Sequence, residues 1–115
     1  MANIYLNAKV DLTAATATTL YTTPSDTRSI VKSILVSDDS GSGSTITVDL
    51  YNGDPAGGAS KFNLFKTLAI GNNATTQLIS EPLILMESEV LQVTAADANR
   101  LHVVASILEL NRNEQ

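Results

Sequence analysis

Hydrophobic and polar residues alternate along most of this chain. At its start Ile4, Leu6, Ala8, Val10 and Leu12 interleave with Asn3, Tyr5, Asn7, Lys9 and Asp11, the period-two pattern of a strand with one buried face. Residues 18–23 (TTLYTT) are rich in strand formers, and the PSDT at 24–27 turns the chain. Residues 28–37 (RSIVKSILVS) form the next predicted strand, apolar on both faces at its far end, which places it centrally in a sheet. DDSGSGS at 38–44 is a loop by composition. Residues 45–51 (TITVDLY) alternate cleanly with Ile46, Val48 and Leu50 inward, and the Gly-rich stretch 52–59 follows as a second loop. A short strand is expected over 61–68, a turn at 71–73, and another strand over 74–79.

The stretch SEPLILMESEVLQVTA at 80–95 reads as a hairpin with a short acidic interruption. The last strand, 100–110 (RLHVVASILEL), puts Leu101, Val103, Ala105 and Ile107 on one face and His102, Val104 and Ser106 on the other. Thirteen threonines and many Val and Ile residues favour pleated surfaces. No window sustains a helical repeat without a Gly, a Pro or a Thr pair intervening. The pattern predicts an all-β fold: an antiparallel, jelly-roll-like β-sandwich of eight or nine short strands. One domain over residues 1–110 and a polar tail over 111–115 account for the whole chain.

Length and composition agree. A chain of 115 residues holds one ordinary core and buries roughly 65% of its unfolded surface. Without cysteine it has neither disulfides nor thiolate metal sites. The N-terminus lacks the apolar run of a cleaved signal peptide, and no stretch is long enough to span a membrane. A soluble, unexported protein is the expectation. Asn73-Ala-Thr75 matches a glycosylation sequon by chance in that setting. Net charge is −5, and the seven basic residues are scattered, which argues against a direct nucleic-acid partner.

Candidate chemistry is sparse. His102 is the single histidine, and Ser106 on its face stands roughly 13 Å away along a strand, too far for a nucleophile–base pair. Glu81, Glu87 and Glu89 lack the facing geometry and the aromatic platform of a glycosidase. They read as solvated residues that keep an apolar hairpin from pairing edge to edge. Asp38, Asp39 and Asp54 offer oxygens for Ca²⁺, but the spacing and closing glutamate of a calcium loop are absent. No phosphate loop follows the glycines at 57–58. The expectation is a protein with no catalytic residue, no cofactor and no metal: a binding or assembly module.

The phrasing LYTTP, RSIVKSILVS, a Gly/Ser loop, TITVDLY, a Gly-rich loop, SEPLIL, ESEVLQVTA and a closing SILEL is similar to small β-sandwich virion structural proteins of tailed bacteriophages. These serve as capsid decoration (cement) proteins or as head–tail and tail components. In the commoner version of the pattern a glycine stands at Glu87 or Ser88. The resemblance implies a non-enzymatic virion protein, assembled in the host cytoplasm, that bridges subunits of the shell. Its implied partners are the major capsid protein or neck and tail proteins, together with copies of itself, a trimer being one such assembly; nucleic acid and membrane are not among them. A carbohydrate- or receptor-binding fibre module is the other class to weigh. Ile4, Tyr5 and Leu6 on the first strand are the expected assembly contacts, and deleting residues 1–11 is expected to weaken assembly more than folding.

Overall fold

The alternation in the first strand is completed by the last one. The computed structural model describes residues 3–111, and β1 (Asn3–Asp11) lies antiparallel on β9 (Leu101–Asn111) from Asn3↔Leu110 to Asp11↔His102. On the other side of β9 runs β3 (Thr27–Asp38), and beyond it β6 (Thr75–Gln77) and β7 (Leu83–Leu85) lie along successive parts of the same edge. The second sheet has the order β2 (Thr18–Thr22), β8 (Val90–Ala95), β4 (Ser44–Tyr51) and β5 (Lys61–Ile70). All these pairs are antiparallel. The chain crosses between sheets after β1, β2, β3, β5, β7 and β8, the winding of a jelly roll.

The inward residues are those the alternation selects. Val31, Ile34, Ile46, Val48, Leu91, Val93, Leu101 and Val103 are fully buried between the sheets, each stabilising by about 1.5–3 kcal/mol. Leu6, Ala8 and Val10 pack against this core from the edge of their sheet. Near one end, Tyr21 ties the sheets together. Its hydroxyl lies 2.7 Å from Ser29 Oγ and donates to the Glu109 carboxylate. Burial, reinforced by that carboxylate, raises the Tyr21 phenol well above its ordinary range.

Three expectations change. Residues 80–95 do not form a hairpin. β7 pairs with β3 in one sheet while β8 pairs with β2 and β4 in the other. The MESE turn between them is tight, with Glu89 N–H donating to the Met86 carbonyl at 3.2 Å and Ser88 at φ +66°, but it carries the chain across the sandwich. Second, β5 is longer than expected and runs to Ile70, whereas only Thr75–Gln77 of the segment 74–79 pairs as a strand. Third, Glu87 and Glu89 are not merely solvated, as described below. β9 runs through Asn111, the first residue of the expected tail; residues 112–115 lie outside the described residues.

Candidate assembly surface

The outward side chains of the first sheet come from register alone. Tyr5 stands opposite Leu108, Leu108 opposite Ile30, and Ile30 opposite Ile84. Four strands thus contribute one apolar residue each to a single row, about 14 Å long at the inter-strand spacing. Its two ends are the most open: Tyr5 is 74% and Ile84 59% exposed. A second row runs Lys9–Val104–Leu35–Gln77, with Val104 and Leu35 exposed. Between the rows lie Asn7, Ser106 and Ser33. Beside Tyr5 is an open depression of about 360 Å³ lined by Leu6, Asn7, Lys32, Ser106 and Ile107. An apolar centre with a polar surround is the anatomy of a protein interface.

The expected contacts do not form one patch. Tyr5 faces outward at the end of the apolar row. Ile4 and Leu6 point to the inner side of the sheet, Ile4 half exposed opposite Glu109 and Leu6 packed on the core. Ile30, Ile84 and Leu108 complete the row; of these only Ile30 lies in residues 28–37, whose two apolar faces are a signal in the sequence, and Ile84 and Leu108 join it through register alone.

The carboxylates hold structure. Glu87 pairs with Arg28 at 3.3 Å and is only 19% exposed in its side chain, flanking the apolar row at its Arg28 edge. Glu89 Oε1 accepts the Met86 N–H at 2.8 Å and fixes the cross-sheet turn. Asp38 is buried at the end of β3, where one oxygen accepts the Ser40 N–H and hydroxyl and the other accepts the N–H groups of Gly43 and Asn73. The Ser40 hydroxyl, with those backbone donors, outweighs burial and holds the Asp38 carboxyl well below the usual carboxylate range. Asp54 instead caps the short helical turn Pro55–Gly57 through the Ala56 N–H. Asp38 and Asp54 lie beyond opposite ends of β4, roughly 25 Å apart by strand rise, so the three aspartates do not converge. Among the described residues no group of three His, Asp or Glu side chains is arranged to hold a metal ion.

His102 lies between two carboxylates. Its Nε2 is 3.1 Å from Asp11 and its Nδ1 3.8 Å from Asp39. Ser37 stands opposite it on β3, but both ring nitrogens are turned to acids. The depression beside it, about 350 Å³, is lined by Lys9, Val10, Asp11, His102, Val103 and Val104 without a hydroxyl. This is a histidine held between two carboxylates, not a nucleophile–base pair. On the second sheet's outer side, Thr19, Gln92, Asp49 and Asn63 form a polar row in which Asp49 is buried beneath its neighbours, with Gln92 donating to Thr19 at 3.2 Å and Asn63 to Asp49 at 2.7 Å.

These two faces belong to a jelly-roll β-sandwich, and solved structures share it. No family model matches the sequence, and no curated protein does. A subunit of the Bacillus endospore appendages, a family of disulfide-linked pili, superposes with a TM-score of 0.56 at 14% identity, over 96% of this chain and 87% of that one. A capsid chain of Helicobacter pylori bacteriophage KHP30 gives 0.54 at 14% identity, over 96% and 89%. A chain of the infectious bursal disease virus Gx strain gives 0.57 at 11% identity over 99% of this chain, which spans only 34% of that one. At such identities the shared property is the fold.

Proposed function

We propose that this protein is a non-enzymatic virion structural protein of a tailed bacteriophage, a capsid decoration (cement) protein that bridges shell subunits. The observation that carries the reading is the apolar row Tyr5–Leu108–Ile30–Ile84 on the outside of a sandwich. A row of this kind is covered when a partner is bound. The likeness to a phage capsid chain along nearly the full length of both supports the setting. A disulfide-linked assembly like that of the spore pili is closed to a chain without cysteine. Cement acts by mass action: binding the assembled shell and not its dissociated subunits raises the shell's stability. A head–tail or tail position would use the same surface on a different ring.

The test is a shell made without this protein. Adding the purified protein should bind it and raise its disruption temperature, and Ile84→Asp should abolish both effects. Shells that neither bind nor gain stability, with the protein found instead in purified tails, would move the reading to the tail. The polar row Thr19–Gln92–Asp49–Asn63 favours a second reading, a glycan-binding fibre module; specific binding on a glycan array would select it.

A further inference from the structure

The apolar row ends at Tyr5 on an edge strand, and that edge differs from every other one in the described residues. β6 and β7 are three residues each. β2 has five residues and a register break at Leu20. β5 breaks register twice against β4 and carries Thr67 at φ +49°. Short, bulged and irregular edges resist pairing with another chain. β1 has nine residues, no break in register with β9, and no proline.

Its backbone phase can be read from one bond. Leu12 N–H donates to the Leu101 carbonyl at 3.1 Å, continuing the β1–β9 register as a hydrogen-bonded pair. Residues in an antiparallel ladder alternate, so the even-numbered residues Ile4, Leu6, Ala8 and Val10 spend their amides on β9. Asn3, Tyr5, Asn7, Lys9 and Asp11 turn theirs to the open edge. We infer that this edge pairs with the β1 of a second copy, antiparallel, about a two-fold axis at Asn7. This deepens the assembly role proposed above and rests on it.

The register follows from matching the free groups. Centred on Asn7, every outward amide meets an outward amide: Asn7 with its own mate, Tyr5 with Lys9 of the partner copy, Asn3 with Asp11. About eight backbone hydrogen bonds result, after discounting the Asp11 carbonyl, which already accepts the Thr13 N–H. On the outer face each Lys9, whose ammonium donates to Asn7 Oδ1 of its own strand at 3.2 Å, comes against a tyrosine ring, an attractive contact. On the inner side Ile4 meets Val10 and Leu6 meets Ala8, covering apolar surface that β1 leaves half exposed. Lys9 and Asp11 cancel within the strand, so this is a neutral edge on a molecule of net charge −5. The joined sheet then runs Ile84–Ile30–Leu108–Tyr5 of one copy into Lys9–Val104–Leu35 of the other.

The solution mass of the pure chain, measured by light scattering without any shell, tests this. A mass of twice 12.2 kDa is expected, reduced to that of one chain by Asn7→Pro. Proline there removes an N–H from the open side only, so the β9 ladder and the thermal transition persist. Should that variant misfold, Asn7→Cys keeps the idea testable. Paired Cα atoms about 5.5 Å apart lie within disulfide reach, and the chain has no other cysteine. Asn7→Cys should cross-link on mild oxidation, Tyr5→Cys should cross-link to Lys9→Cys and not to itself, and Lys61→Cys on β5 should not cross-link. A strict monomer, a closed trimer or self-linking Tyr5→Cys overturns the inference. None of these results touches shell binding, whose loss would count against the virion reading alone.

Discussion

Thr23 carries a buried side-chain oxygen with no hydrogen-bond partner among the described residues. Its backbone is well placed, donating to the Glu89 carbonyl at 2.9 Å, so the hydroxyl alone is the liability. Thr23→Val keeps the shape and removes the unmet group. It should stabilise by about 1 kcal/mol, a rise of about 4 °C in Tm; a fall would mean the hydroxyl has a partner in solution. Gly43 shows the opposite case. At φ +72° it also lies where a Cβ would come within 2.7 Å of Asn72 Oδ1 and 3.0 Å of the Ile70 carbonyl. Gly43→Ala should cost about 1–3 kcal/mol in chemical denaturation. Neither role was legible in the sequence, where Thr23 is one threonine of a TTLYTT run and Gly43 one glycine of a Gly/Ser loop.

The strands were legible because a buried face imposes its own period. β1, β3, β4 and β9 each announce themselves by alternation over many residues. The β7–β8 segment did not reveal its pairing. A tight polar turn between two apolar runs looks the same whether the runs pair with each other or enter opposite sheets, and only the vacancy beside β3 decides. The Asp38 loop was equally opaque, since loop aspartates look alike whether they meet water, metal or backbone. Its acid response now follows. The folded carboxyl titrates below the unfolded value of about 3.9, so its stabilising contribution is full above that pH and is lost as pH falls toward the folded value. Wild-type Tm should therefore drop more steeply below about pH 4 than that of Asp38→Asn, which has no carboxyl to protonate. Parallel curves would show that other carboxylates dominate acid unfolding.

Across the whole molecule, the two sheets divide the surface between an apolar face and a polar one. Ile84 is 59% exposed on a three-residue edge strand, so Ile84→Asp should change stability by no more than about 0.5 kcal/mol. Truncating residues 1–11 is a blunter probe, because it strips β9 of its partner along all of β1 and mixes folding with assembly. Which face is apolar could not be seen before register aligned Tyr5, Leu108, Ile30 and Ile84. The tyrosines carry one more consequence. The chain has three and no tryptophan, so its ultraviolet emission is theirs alone. Tyr21, its phenol hydrogen-bonded to a carboxylate, is placed to be quenched, and Tyr51, part-buried at the end of β4 in the other sheet, gives a constant background, while Tyr5 sits in water at the open edge. The protein thus carries its own dye at the position where a neighbour would arrive, and its assembly can be followed by light without attaching a label.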